Sequence, residues 1–458
     1  MRRGGVMNTN NRLLKELLRG IEGALEVLVL SLAYYYSFKS FYAPGMFSDY
    51  LGRGKYLLLL VYALLVIALF FLNQCFLFGR LKLSHIIISQ VIDIAIVDVI
   101  TYMQLCLMAD KMLPLLPTIY LFVIDIIICF VLCYIYTFSY HRINHPRKTL
   151  LIYGNDYAQH LQEDINKQSQ RLNVTTAVST DLGLNKLIKI IPDYEAIIIN
   201  DVEAEIRNDI LKYCYGNGIR TYLVPKISDI LIRGSDDVTL HDTPFLLSKG
   251  QGLNIYNKMV KRAMDIVLCL IALIIFSPIL LIIAIAIKLE DHGPVFYLQE
   301  RVTKDEKRFN IIKFRSMIVN AEKDGTPLPA TDNDSRITKV GKVIRRFRVD
   351  ELPQIFNILK GEMSIVGPRP ERVEHVEMYK EEIPEFVFRY KVKGGLTGYA
   401  QVYGKYNTTA YDKLRLDLLY IENYSILLDI KLIIETVRIL FSKESTEGFA
   451  EAQKKAES

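Results

Sequence analysis

Two adjacent carboxylates, Asp350 and Glu351, sit in Arg348-Val-Asp350-Glu351-Leu-Pro353-Gln354, and shortly afterwards comes Gly367-Pro368-Arg369-Pro370. An ionised aspartate is a competent nucleophile toward phosphorus. A neighbouring glutamate can hold Mg2+, which screens the repulsion between carboxylate and phosphate. Asp350 fits a helix N-cap, Pro353 the first turn and Gly361 the C-terminal stop. A capped short helix would explain those positions without chemistry. Arg345, Arg346 and Arg348 just upstream, together with a helix N-terminus, favour bound phosphate instead. Two prolines fix the backbone around Arg369, so its guanidinium can grip a phosphate with little entropy to lose. The same segment also reads as a rigid surface turn.

Two further stretches carry similar ambiguity. Lys313-Phe314-Arg315 ends a strand-like run, and a period of two puts both cations on one face. They would hold a diphosphate or line a solvated edge. Gly394-Gly395-Leu-Thr397-Gly398 reads as a tight loop with backbone N–H groups open to an anion.

The elements that must position these groups begin with membrane segments. Four apolar runs, about 20–38, 56–78, 84–108 and 115–140, are each long enough to cross a core of about 30 Å. Cations flank them unevenly. With the N-terminus inside, Arg2, Arg3, Arg12, Lys15, Arg19, Arg80, Lys82, Arg142, Arg147 and Lys148 fall on inner loops, against Lys39, Arg53, Lys55 and Lys111 outside. That bias predicts both ends of the bundle in the cytosol. Glu22, Glu26, Asp93, Asp98 and Asp125 lie within these runs and suit either a transport path or helix–helix contacts. The six cysteines show no CxxC spacing and read as small buried hydrophobes rather than as a disulfide framework or zinc site. A net charge of +6 suits a membrane surface or a phosphorylated substrate and does not indicate nucleic acid.

From 149 to 250 strand and helix signals alternate, which predicts a parallel α/β sheet. Gly154-Asn155-Asp156-Tyr157 follows the first strand, without the Gly-x-Gly-x-x-Gly of a dinucleotide site. A sugar-nucleotide dehydratase or epimerase using NAD would need that fingerprint. Beyond it, a 22-residue apolar run from Ile266 to Ile287 is broken by Ser277-Pro278. Lys258, Lys261 and Arg262 precede the run, and Lys288, Arg301, Lys304, Lys307 and Arg308 follow. A crossing helix should be basic on one side only. The expectation is a helix that enters the inner leaflet, bends at Pro278 and returns; the alternative is a kinked fifth span. Residues 411–442 read as helices that lie on the membrane or pack inward.

The ordered set Lys261-Arg262-x-x-Asp265, Gly293-Pro294-Val295-Phe296, Gln299-Glu300-Arg301-Val302, Lys313-Phe-Arg315-Ser-Met317, Asp350-Glu351-Leu-Pro-Gln354, Gly361-Glu-Met-Ser364, Val366-Gly-Pro-Arg-Pro370 and Thr397-Gly398 resembles the bacterial sugar transferases. These are the monotopic phosphoglycosyl transferases, and the resemblance covers 258 to about 440. The regions before it resemble the large WbaP-like polyprenyl-phosphate sugar-1-phosphate transferases. Gly394 departs from the family's usual proline, and Phe347-Arg348 from two small hydroxyl residues.

The resemblance implies a four-span membrane α-helical bundle (1–145), a Rossmann-like α/β domain (146–250) and an α/β phosphoglycosyl transferase domain (251–458) with a re-entrant helix (264–288). It implies transfer of a sugar-1-phosphate from a UDP-sugar to undecaprenyl phosphate at the cytoplasmic face of the bacterial inner membrane, initiating exopolysaccharide, capsule or O-antigen synthesis. Asp350 would be the covalent nucleophile and Glu351 the ligand of Mg2+. Arg369, Lys313, Arg315, Arg345 and Arg301 would meet the donor phosphates. Lys261, Arg262, Ser277 and Pro278 would face the membrane and the lipid phosphate. Expected partners are the two substrates, membrane lipids, a second copy of the chain and other polysaccharide-assembly proteins, but no nucleic acid.

Overall fold

The computed structural model describes residues 9–45, 54–77, 83–143, 145–154, 158–168, 171–250, 252–319, 334, 336–404 and 408–441. The chain forms two compact units that part between Val224 and Pro225.

The first unit opens with four long helices, α1 (Thr9–Ser37), α2 (Gly54–Leu72), α3 (Leu83–Ala109) and α4 (Leu116–Ile143). Their inward faces bury Leu30, Tyr62, Val66, Phe70 and Val97, while Leu64, Phe71, Ile127 and Phe130 stay exposed. A packed seam with an apolar outer surface is what a bundle in lipid requires. Of the acids within it, Glu26 accepts from Gln90 at 2.9 Å, Asp93 from Asn73 at 2.5 Å and Asp125 from Tyr62 at 2.9 Å. These bonds join different parts of the bundle, so helix–helix contact accounts for three of the acids. Arg2, Arg3, Arg53, Arg80 and Lys82, which the inner-and-outer comparison also used, lie outside the described residues.

Strands β1 (Arg147–Tyr153), β2 (Leu172–Ser179), β3 (Ala196–Asn200) and β4 (Arg220–Leu223) follow, with α5 (Ala158–Gln168), α6 (Leu184–Ile190) and α7 (Ala204–Gly216) between them. All pairings are parallel and the order is β2-β1-β3-β4. The alternation seen in the sequence is therefore a parallel sheet. Leu150, Leu151, Ile152, Ile197, Ile198 and Ile199 are all buried, so both faces of the central strands are covered. Asn155, Asp156 and Tyr157, where a glycine fingerprint would stand, lie outside the described residues.

The second unit begins with α8 (Ile227–Arg233) and a hairpin of β5 (Asp236–Leu240) and β6 (Thr243–Leu247). Ile227 and Ile230 share a core with Leu414 and Leu418, which is why this stretch belongs with the C-terminal unit. Helix α9 (Ile255–Asp291) leads to the antiparallel pair β7 (Phe296–Val302) and β8 (Arg308–Phe314). Then come α10 (Lys339–Arg346), α11 (Gln354–Lys360), β9 (Ser364–Val366), α12 (Val373–Glu382) and a 3₁₀ segment over Pro384–Lys391. Strand β10 (Gly395–Thr397) pairs in parallel with β9, and α13 (Tyr399–Tyr403), α14 (Ala410–Glu422) and α15 (Ile426–Phe441) close the unit. Helix α14 packs inward through Leu414, Leu418 and Ile421.

Helix α9 runs for 37 residues with Pro278 inside it. A proline removes the hydrogen bond to the carbonyl four residues back, here that of Ile274. The hydroxyl of Ser277 donates to this carbonyl at 3.0 Å. The serine replaces the N–H that proline lacks, and the helix continues through the position where the sequence suggested a break. Its middle is bare: Ile274, Ile275, Leu281 and Ile282 are each more than half exposed.

Candidate active site

The dyad stands where α10 gives way to α11. Arg348 takes a left-handed conformation (φ 54°) and starts a single 3₁₀ turn, Val349–Glu351. Asp350 lies inside that turn, and Pro353 occupies the N-cap position of α11 without a side-chain bond. The N-cap assignment of Asp350 is thereby corrected: the 3₁₀ turn inserts between the two helices and frees both carboxylates from capping. Gly361 ends α11 in the left-handed region (φ 89°), as its residue type suggests. Asn357 ties α11 to β8, donating to the Asn310 carbonyl at 2.8 Å and accepting from Ile312 N at 2.9 Å. That bond sets the strand carrying Lys313 against the helix that follows the dyad.

Glu351 takes two cations on one oxygen. Lys313 Nζ donates to Oε1 at 2.7 Å and Arg369 Nη2 to the same atom at 3.0 Å. Burial penalises the ionised Glu351, but the charges and bonds of Arg369 and Lys313 outweigh it and hold the carboxyl well below its ordinary range. Asp350 is pushed the other way, first by burial and then by the charge of Glu351, while Lys313 and Arg345 oppose the shift. Burial also pulls Lys313 down, against the Glu351 charge. The pair thus divides into a firmly ionised carboxylate and a more basic one beside it, the pattern that separates roles within a site.

Oε2 of Glu351 accepts no hydrogen bond from the described residues, and Asp350 takes none from another side chain. The remaining Oε2 of Glu351 suits Mg2+, which binds through one or two carboxylates plus substrate phosphates. Among the described residues no group of three or more His, Cys, Asp or Glu could hold a metal alone. A cation here would need the phosphates of a substrate to complete its shell.

Arg369 is presented as the sequence suggests, with Pro368 and Pro370 buried and its own side chain exposed. Arg345 lies on α10, near enough to act on Asp350. Four other expected residues are held by groups of the chain itself. Arg315 is 7% exposed and fully engaged: Nε donates to the Pro294 carbonyl at 2.6 Å, and Nη1 and Nη2 bind Asp291, the first at 2.6 Å. Strand β8 ends before it, so it leaves the face of Lys313 and pins the end of α9. Arg301 donates to Gln299 Oε1 through Nε and Nη2 and to the Pro370 carbonyl at 3.1 Å, so it supports the Arg369 loop while its charge still acts on Lys313. Lys261 is buried against Asp429 at 2.6 Å. Arg262 donates to the Ile358 and Leu359 carbonyls at 2.6 and 2.7 Å, capping the C-terminus of α11.

The glycine loop is also reassigned. Gly394 N donates to Thr303 Oγ1 at 3.0 Å and Gly395 N to the Pro368 carbonyl at 2.9 Å, leaving neither for an anion. A Cβ on Gly395 would lie 2.1 Å from Gly367 N, so the close approach of β10 to the Arg369 loop explains this glycine.

Sequence reasoning missed Arg389 and Asp417, whose buried pair lies against the Arg369 loop. A signal was present: Asp417 falls among Leu414, Leu418 and Ile421 on the apolar face of a helix, and an acid there needs a partner.

A membrane helix docked on an α/β unit, with a carboxylate pair under basic side chains, defines a membrane-bound phosphate-transfer enzyme. The comparisons give the family. The bacterial sugar transferase model matches residues 256–443. The chain is 37% identical over 327 residues to the UDP-N-acetylgalactosamine-undecaprenyl-phosphate N-acetylgalactosaminephosphotransferase of Aeromonas hydrophila, covering 69% of this chain and 72% of that one. It is 40% identical over 248 residues to the UDP-glucose:undecaprenyl-phosphate glucose-1-phosphate transferase of Klebsiella pneumoniae, covering 53% and 51% of the two chains. The corresponding Escherichia coli enzyme is 44% identical over 211 residues, 45% and 44% of the two chains. The chain thus spans about half the length of the last two relatives. It belongs to the bacterial sugar transferases.

Proposed function

We propose that the protein transfers a sugar-1-phosphate from a UDP-sugar to undecaprenyl phosphate, releasing UMP and initiating a surface polysaccharide. The observation that carries the reading is the division of the dyad: Glu351 neutralises Lys313 and Arg369, while Asp350 beside it has no hydrogen-bonded side-chain partner among the described residues. An oxygen of Asp350 attacks the β-phosphorus of the donor. The bond to the bridging oxygen breaks and UMP leaves, so the phosphosugar is held as an aspartyl ester. A phosphate oxygen of the lipid then attacks the same phosphorus, and the bond to Asp350 breaks. Arg369 and Arg345 bind and orient the donor phosphates, and electrostatic positioning of this kind is the main requirement of phosphoryl transfer. Mg2+ held at Glu351 would neutralise phosphate charge.

The re-entrant reading of α9 draws support from its contacts. Near one end, Lys261, Arg262 and Asp265 bond to Asp429, Ile358, Leu359 and Ile365. Near the other, Ile283 and Ile287 share a cluster with Phe314 and Ile344, and Asp291 holds Arg315. One unit holds both ends, which a bilayer core of about 30 Å between them would forbid. The exposed middle then dips into one leaflet, with the site at the cytoplasmic surface of the inner membrane. The four preceding helices are read as spans, and the β2-β1-β3-β4 sheet as a Rossmann-like module without a dinucleotide site.

The test is to supply membranes containing the protein with undecaprenyl phosphate and a panel of UDP-sugars, and to follow UMP. Release that depends on both substrates is expected. No release with any glucose, galactose or N-acetylhexosamine donor would overturn the proposal.

A further inference from the structure

Beneath the Arg369 loop lies a second arginine that the proposed chemistry does not use. Arg389, in the 3₁₀ segment, is 2% exposed and lies with its guanidinium carbon 4.8 Å from the centre of the Phe386 ring. Its Nη2 donates to the Arg369 carbonyl at 3.0 Å and reaches Asp417 Oδ2 at 2.7 Å, and its Nε donates to the same oxygen at 3.0 Å. Asp417, on α14, is 1% exposed.

This contact completes a row. The carbonyl of Pro368 is held by Gly395 N at 2.9 Å, that of Arg369 by Arg389, that of Pro370 by Arg301 at 3.1 Å, and that of Glu371 by Val302 N at 3.1 Å. Four consecutive peptide planes are fixed from below while the Arg369 side chain, above, reaches Glu351. The proline rings set φ at positions 368 and 370, and Pro370 restricts Arg369 to extended conformations. Within that range the tilt of the 369–370 peptide remains open, and the bond from Arg389 closes it.

Core packing alone gives no reason for this arrangement. A buried ion pair is often matched or bettered in stability by apolar residues of similar volume. Arg389 moreover leaves Nη1 buried without a hydrogen bond, with Glu371 Oε1 at 3.9 Å. Asp417 offsets the charge of Arg389, so what the pair offers the site is direction.

We infer that Arg389, oriented by Asp417, is a positioning residue for Arg369, fixing the backbone from which that guanidinium reaches the donor diphosphate. The inference rests on the proposed role of Arg369, and the experiment separates the two. Kinetics with the UDP-sugar donor are measured for Arg369→Ala, Arg389→Met and the double variant, each reconstituted in lipid. Misplacement of a binding group is expected to cost Arg389→Met about a hundredfold in kcat/KM. Because Arg389 acts through Arg369, the double variant should be no worse than Arg369→Ala alone. If the two losses multiply, Arg389 supports the fold and the inference is wrong. If Arg369→Ala keeps full activity, the phosphate clamp falls and this inference with it. Should Arg389→Met fail to fold, Arg389→Lys keeps the charge opposite Asp417 but loses the planar fork, and the same cycle is read with it.

Discussion

Glu351 and Arg369 face each other at 3.0 Å, and the Glu351 oxygen that Arg369 reaches is also the one that holds Lys313. The two cations differ in freedom. The Arg369 side chain is 44% exposed and that of Lys313 17%. On the proposed reading an incoming diphosphate would compete for Arg369 first, while Lys313 would keep Glu351 in place. The contact would then be a resting position for the clamp.

Arg369→Lys should therefore be a poor substitute. Lysine keeps the charge but has no fork to span two oxygens. Steady-state kinetics should show kcat/KM for the donor lower by about a hundredfold, the scale of losing one well-aimed donor group. Wild-type kinetics would mean that Arg369 acts as charge alone.

Asp350→Asn should lower turnover by about ten-thousandfold or more, as removal of a nucleophile does. The protein should still insert and bind donor, because Asp350 holds no other side chain among the described residues. Mass spectrometry of wild type quenched with donor alone should find the phosphosugar on the peptide containing Asp350, and none in the variant. Substantial turnover by Asp350→Asn would end the covalent role.

Asp417 gives a pH dependence with a definite sign. Burial pushes its carboxyl up to about 6, although Arg389 pulls it down. Its folded value lies above the unfolded one, so proton binding favours the fold: the contribution is fully present below about 4 and lost as pH rises through about 6. Relative to Asp417→Asn, the wild type should gain melting temperature between pH 6 and pH 4. Over the same window its Arg389 loses the opposing charge, and donor kcat/KM should fall. Parallel melting curves for the two proteins would contradict the assignment.

The parts legible in the sequence are those fixed by local pattern. The alternation read over 149–250 foretold the parallel sheet found over 147–223, and Asp350-Glu351 and Pro368-Arg369-Pro370 foretold groups that do meet. What was illegible was how each cation is used. Lys261 finds Asp429 168 positions later, and Arg315 turns to Asp291 because its strand stops one residue before it. A basic residue type shows that a partner is needed. Only the fold shows whether that partner is a substrate or a carboxylate of the chain.

The Lys261–Asp429 pair joins the start of α9 to α15, with Tyr420 donating to the other Asp429 oxygen at 2.8 Å. Both ions are buried. Lys261→Met leaves Asp429 without its cation and should cost about 3–5 kcal/mol. Adding Asp429→Leu should recover much of that loss, since an apolar pair tolerates the site better than a lone charge. Thermal unfolding in lipid nanodiscs reads both, and a double variant no more stable than Lys261→Met would refute the explanation.

Ser277 tests where the middle of α9 lies. Pro278 leaves the Ile274 carbonyl without its helical N–H, and the Ser277 hydroxyl is the donor that reaches it. In water Ser277→Ala would cost little, because solvent would take over the carbonyl. In hydrocarbon no solvent is available, and an orphaned backbone group costs about 1–3 kcal/mol. Ser277→Ala should therefore lower the melting temperature in nanodiscs, whereas Ser277→Thr, which keeps a hydroxyl, should not. Pro278→Ala restores the missing N–H, so the serine becomes redundant and Ser277→Ala should be harmless in that background. A Ser277→Ala protein as stable as wild type with Pro278 intact would place this segment in water and remove the basis for a helix buried in one leaflet.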